Sequence, residues 1–278
     1  QSVTLLLNTG VSILLITKGF SIQAVKLSTA VIFLLRPIGQ AVYVHTHYNI
    51  DKKIPFDGEP IKQKWNGFAQ HVAGVVLVNT DVTVLTLLDS LKNVSVYSVY
   101  YSVVYGVEQA VMTFATGLEA MWGNMLANHE QEQLVASFSA TEWIVHNGVS
   151  FVFILTGILI VPFVRVYTNG IADTNYTLPL FGMILTAAYA AECLRVPYFR
   201  MIKAAGHYKQ TQTASIIEML INVVLSVALV KRFGLNGVAV GTLAAMLYHT
   251  CYFVWYLRTK ILNRPIRFFC KYLAIDVF

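Results

Sequence analysis

Eight stretches of about twenty mostly apolar residues, joined by short polar connections, dominate this sequence. Coiled as an α-helix, a run of that length matches the ~30 Å hydrocarbon core of a bilayer. Backbone amides cannot stay unpaired in hydrocarbon, so only helices and closed barrels span it. Barrel strands read as alternating segments of about ten residues, and these runs are continuous and twice as long. Charged residues make up 12% of the 278, about half the share of a soluble domain, too few to cover a water-facing surface. The expected fold class is therefore all-α, a polytopic transmembrane helix bundle of about eight spans plus the start of another.

The spans are predicted at 2–17, 22–45, 67–89, 95–120, 142–165, 177–199, 212–230 and 235–257, with a further one beginning near Phe268. Two connections are longer, 46–66 and 121–141. The chain begins at Gln1 inside one apolar run and ends inside another, and reads as a piece of a longer protein. Lys52, Lys53, Lys62 and Lys64 fall between the second and third spans. Arg200, Lys203 and Lys209 fall between the sixth and seventh, and Arg258, Lys260, Arg264, Arg267 and Lys271 after the eighth. In an alternating topology all three groups lie on one side, which the positive-inside rule makes cytoplasmic. The connection 121–141 shares that side. Net charge +6 suits anionic headgroups better than nucleic acid.

Ionisable residues inside spans cost at least ~2.5–3.5 kcal/mol on insertion scales, so each calls for a reason. They are Lys26, Arg36, His71, Asp81, Glu108, Glu119, Glu192, Arg195 and Glu218. Lys26 and Glu119 lie near span ends, where snorkelling accounts for them more simply than function. Glu192 and Arg195 stand three apart and either neutralise each other or face a ligand. Glu218 and Asn222 either bridge helices or serve a site. Arg36 and Asp81 sit too deep to snorkel and point to a water-filled cavity. Buried arginine suits phosphate, through its planar fork. Asp81 is open to three roles: orienting arginines, binding a cation or carrying a proton. Catalytic signatures are missing. No GxxxxGK[ST], HExxH or GxSxG string occurs, so no enzyme, cofactor or nucleotide hydrolysis is expected. Cys193, Cys251 and Cys270 lack metal or disulfide spacing and read as packing residues.

Sliding 2–45 by 213 residues lays the first two spans on the last two without gaps. Lys18 meets Lys231, Phe20 meets Phe233, Thr29 meets Thr242, and Tyr43 meets Tyr256. Such an internal repeat suits a transporter of two related bundles.

Three strings resemble a known family: Gln63-Lys64-Trp65-Asn66-Gly67-Phe68-Ala69-Gln70-His71 running on to Asn79-Thr80-Asp81; Leu194-Arg195-Val196-Pro197-Tyr198 with Ala204-Ala205-Gly206-His207-Tyr208; and Phe233-Gly234-Leu235-Asn236-Gly237-Val238-Ala239 through Tyr248. The chain resembles bacterial polysaccharide-biosynthesis flippases, the O-antigen and capsule branch of the multidrug/oligosaccharidyl-lipid/polysaccharide superfamily. The resemblance implies a MATE-like, two-lobe protein in the bacterial cytoplasmic membrane. Residues 1–45 would close the first lobe, 46–66 would be the cytoplasmic inter-lobe linker, and 67–258 the six-helix second lobe. Residues 259–278 would carry a cytoplasmic segment and the next helix. It implies translocation of an undecaprenyl-pyrophosphate-linked oligosaccharide, with the cations Arg36, Arg195, Lys26 and His249 on the pyrophosphate. Asp81, Glu108, Glu192 and Glu218 would be cavity or coupling carboxylates, for H+ or Na+. Membrane lipids, a polysaccharide polymerase and glycosyltransferases are its expected partners. His249 stands where relatives are expected to carry arginine, opposite Arg36 under the 213-residue shift. The alternative is a cation-coupled multidrug antiporter of the same superfamily.

Overall fold

The computed structural model describes residues 2–48, 63–171 and 173–262. The expected helix after Phe268, most of the 46–66 connection, Cys270 and the basic residues Lys52, Lys53, Lys62, Arg264, Arg267 and Lys271 lie outside the described residues.

Ten α-helices and no strand occur among the described residues: α1 (Ser2–Thr17), α2 (Ile22–His47), α3 (Lys64–Leu88), α4 (Leu91–Phe114), α5 (Leu118–Ala127), α6 (Gln131–Tyr167), α7 (Pro179–Leu194), α8 (Val196–Ala204), α9 (Tyr208–Phe233) and α10 (Leu235–Lys260). Among the described residues, six segments are long and apolar enough to cross a membrane: α2, α3, α6, α7 with α8 taken together, α9 and α10. By length and composition this is a multi-pass membrane protein. Of the eight expected spans, two fall short of that standard. α1 has 16 residues, and α4 carries four tyrosines and three serines among its 24 residues, which lower its hydropathy.

Two other boundaries differ from expectation for visible reasons. The connection 121–141 is largely helical, holding most of α5 and the start of α6, so Glu119 belongs to α5 and not to a span. The sixth span is interrupted at Arg195. Pro197 has no amide hydrogen to give Cys193, and the helix tightens there: the Arg195 amide donates to the Glu192 carbonyl at 3.1 Å, an i to i−3 bond. The dihedrals of Arg195 stay helical (φ −71°, ψ −21°), so the axis continues with a local fault.

The chain divides into two compact units, Gln1–Pro60 and Ile61–Phe278. The first is the α1–α2 hairpin. Its turn is a Schellman closure, with Gly19 at φ +74° while the Gly19 and Phe20 amides donate to the Ile16 and Leu15 carbonyls. Only a residue tolerant of positive φ fits there. Ile32 is the sole buried side chain of these two helices, and Leu6, Ile22 and Leu27 are largely exposed.

The second unit holds α3 to α10. Its core consists of two apolar clusters with a polar layer between them. One cluster joins Leu85, Tyr97, Val149, Phe181, Leu185 and Val238. The other joins Trp122, Leu134, Phe138, Met201, Phe253 and Leu257. α6, α10 and the α7–α8 segment each run from one cluster to the other, and each carries ionisable side chains at the crossing: Glu142 and His146, His249, and Arg195.

α9 and α10 lie in close contact along Gly237 and Gly241. A Cβ on Gly237 would come within 2.6 Å of the Leu229 carbonyl oxygen, and one on Gly241 within 2.9 Å of the Ser226 amide nitrogen. The spacing Gly237-x-x-x-Gly241 is the small-residue pattern that lets membrane helices touch backbone to backbone.

One end of the unit is tied by polar contacts. Gln63 donates to the Gly206 carbonyl (3.0 Å) and accepts from the Lys209 amide (2.9 Å), and Gln70 donates to the Tyr208 carbonyl (2.7 Å). At that end α8 closes in a second Schellman motif around Gly206 (φ +70°). His207 follows, with Nδ1 2.9 Å from the Tyr256 hydroxyl. Burial pushes the His207 imidazole below its usual value. The fold therefore favours the neutral ring: its contribution is full above about pH 6.5 and is lost as pH falls through the lowered folded value. Hydrogen exchange at residues 205–209, corrected for intrinsic rates, should rise between about pH 6.5 and pH 5, and His207→Gln should abolish that rise. The same end gathers Arg200, Lys203 and Lys209 with the α10 terminus that carries Arg258 and Lys260.

Candidate functional site

The polar layer of the second unit contains the densest group of ionisable side chains. The Arg195 guanidinium, at the fault between α7 and α8, donates through Nη2 to Glu192 Oε1 (2.8 Å) and through Nη1 to Glu218 Oε1 on α9 (2.5 Å). His249 Nδ1 on α10 lies 2.5 Å from Glu218 Oε2 and 2.8 Å from Arg195 Nη1. Arg195, Glu218 and His249 are all buried. The Pro197 fault places Arg195 here, because a continuous helix with an i−4 bond at every residue would not tighten at that level. Glu108 on α4 is buried and close enough to act electrostatically on Glu192 and Arg195.

A cavity of about 460 Å³ opens on this group. Its walls come from α3 (Gly67, Gln70, His71, Gly74, Val78), from the α7–α8 segment (Glu192, Arg195, Phe199, Lys203), from α9 (Tyr208, Ser215, Glu218) and from His249. Glycines on α3 leave room, and polar groups come from both sides, Gln70 and His71 on α3 and the charged side chains of the opposite helices. Two carboxylates, Glu192 and Glu218, face two basic side chains, Arg195 and Lys203. Both the expected cations and the expected carboxylates are thus represented in its lining. The expected pairing of Glu192 with Arg195 forms, but within a larger cluster that also takes Glu218 and His249.

Asp81 does not join this group. Its carboxylate accepts from the Tyr97 hydroxyl (2.9 Å), the Thr242 hydroxyl (2.7 Å) and Asn222 Nδ2 (3.4 Å), tying α3 to α4, α9 and α10 inside the apolar cluster. Orientation of Arg195 is therefore not its role. Asn222 bonds Thr242 at 3.0 Å rather than pairing with Glu218 along its own helix. Lys26 is exposed on α2. Arg36 is half-buried, with Nε 2.7 Å from the Thr4 hydroxyl and its guanidinium 4.4 Å from the centre of the Phe33 ring.

A third cluster escaped the sequence reading. The Tyr198 hydroxyl donates to Glu142 Oε1 at 2.7 Å and lies 3.4 Å from His146 Nε2, with all three side chains buried. Glu142 and His146 stand four apart on α6, a spacing that puts both on one face. That was the available signal, and placing a span edge at residue 142 concealed it. Lys203 falls in a predicted connection, yet it lines the cavity together with Phe199 from the end of the sixth predicted span.

The two helical hairpins carry equivalent contacts. Shifted by 213 residues (22 to 235, 47 to 260), the bounds of α2 become those of α10. Arg36 then coincides with His249, and both reach across to the partner helix at the same level, Thr4 in one case and Glu218 in the other.

No family model, curated relative or solved structure matches the chain.

Proposed function

We propose that this chain acts in a membrane transporter, moving an undecaprenyl-pyrophosphate-linked oligosaccharide across the bacterial cytoplasmic membrane. The observation that carries this reading is the cavity ringed by Glu192, Arg195, Lys203, Glu218 and His249 between helices of membrane-spanning length. Ionisable groups are retained at such depth where they serve a substrate or ion path. The cargo follows from the resemblance of the three strings to polysaccharide flippases, as does a MATE-like two-lobe arrangement with eight spans and a linker at 46–66. In this reading Arg195 and Lys203 meet the pyrophosphate, while the lipid tail stays in the bilayer.

A cation-coupled antiporter is the second reading. It is favoured by the carboxylates, since Glu192 and Glu218 already neutralise Arg195 and Glu108 is a third carboxyl group nearby.

Purified protein in liposomes separates the two. Flipping of lipid-linked oligosaccharide is expected, and it should be abolished in Arg36→Gln/Arg195→Gln. Movement of a cationic drug without any oligosaccharide would overturn the flippase reading. Full flipping by the double variant would sink the cationic contribution.

A further inference from the structure

We infer that Glu218 and His249 form a proton-binding site in which a proton on His249 competes with Arg195 for the Glu218 carboxylate. The inference deepens the transporter reading and rests on it only for the anion that a released Arg195 would meet.

The argument starts from one ring nitrogen. His249 Nδ1 lies 2.8 Å from an arginine N–H donor and 2.5 Å from a carboxylate oxygen. A single nitrogen cannot accept from the first while donating to the second. If Nδ1 is bare, its contact with Glu218 Oε2 sets lone pair against lone pair unless that oxygen carries hydrogen. If Nδ1 carries hydrogen, it donates to Glu218 and its approach to Arg195 is N–H against N–H. One proton therefore sits between Nδ1 and Oε2 in either case, and Arg195 on Oε1 and His249 on Oε2 are crowded against each other on one carboxylate, where two positive charges would repel.

Charge says what the cluster lacks. Two carboxylates, Glu192 and Glu218, against one guanidinium leave a single negative charge within buried surroundings. The other titratable groups facing the cavity are His71 from α3, Lys203 from α8 and Tyr208 from α9, and Tyr248 precedes His249 on α10. A place for a cation within the cluster itself is His249 Nε2, which is buried without a hydrogen-bond partner on a side chain that lines the cavity.

A proton taken up at Nε2 makes the ring cationic and gives Glu218 a charged donor of its own at Nδ1. Glu218 then no longer needs Arg195. The guanidinium stays anchored to Glu192 through Nη2, and its Nη1 edge turns to the cavity, where a phosphate oxygen fits the vacated fork. Proton loss reverses the exchange. The proton comes from water in the cavity, and no bond other than N–H forms or breaks.

Full-length chain in nanodiscs, with its seven histidines labelled in the ring with 15N, gives the test by NMR titration from pH 4.5 to 9. The signal missing in His249→Gln should titrate in this range. Glu218→Gln should weaken proton binding at His249 about tenfold, and Arg195→Gln should strengthen it by a similar factor, because one removes a neighbouring negative charge and the other a positive one. Arg195→Lys keeps the charge and should leave the midpoint near wild type, which guards against misfolding as the cause. Inorganic pyrophosphate should bind about tenfold tighter at pH 5.5 than at pH 8, and His249→Gln should remove that dependence. A His249 signal that fails to titrate, shifts alike in both charge variants, or titrates without any change in pyrophosphate affinity overturns the proposal. Wild-type protein that flips no lipid-linked oligosaccharide would sink the transport reading while leaving the His249 titration unaffected.

Discussion

Arg195→Ala should destabilise the second unit by about 3–5 kcal/mol, the usual loss when one partner of a buried ion pair is removed. The loss arises less from the bonds broken than from what stays behind. Glu192, half-buried, and Glu218, buried, would be left with no guanidinium at 2.8 and 2.5 Å. Thermal unfolding of detergent-purified protein measures it. Adding Glu218→Gln to the alanine variant should restore part of the lost stability, since one stranded carboxylate becomes neutral. A second substitution that lowers the melting point further would show that Glu218 is held by partners other than Arg195.

Gly237→Ala should cost about 1–3 kcal/mol through overpacking. The new methyl group would meet the Leu229 carbonyl oxygen at 2.6 Å and its carbon at 2.7 Å. These are backbone atoms of α9, so no rotamer change relieves the contact and the two helices must separate. Gly148→Ala on α6 is the control, because a Cβ there meets nothing within 4 Å. It should gain up to ~1 kcal/mol from the better helix propensity of alanine. Opposite signs for two glycine-to-alanine changes would isolate helix contact from propensity. Equal melting points for the two variants would argue that α9 and α10 are not in this close contact.

How far the sequence could be read depends on the kind of signal. α2 and α9 stand out because apolar runs of bilayer length leave few alternatives. α4 carries too many tyrosines and serines to pass by hydropathy, yet Tyr97 and Tyr100 are fully buried, since protein rather than lipid surrounds them. The α5 helix and the early start of α6 were hidden because composition separates apolar from polar, not helix from loop. Within the site, Glu192 and Arg195 were legible as neighbours on one helix. The meeting of Arg195 with Glu218 and His249 was not, because it depends on how three helices pack. Asp81 shows the same limit from the other side. Its depth was apparent, but its three partners, Tyr97, Asn222 and Thr242, come from three other helices.

α6 has 37 residues, about 55 Å at helical rise, well beyond the ~30 Å hydrocarbon core. Near one end Ser137 accepts from the Trp122 indole of α5 at 3.1 Å, and near the other Val164 is fully buried. Such a rod is a lever. A tilt of only about 5° around its middle would carry each tip through roughly 2.5 Å, about the width of a single atom contact. Because Glu142 grips Tyr198 along this rod, a small rocking of α6 would be delivered directly to α8, the segment that follows the fault at Arg195. Mechanical advantage of this sort needs no bending of the helix itself.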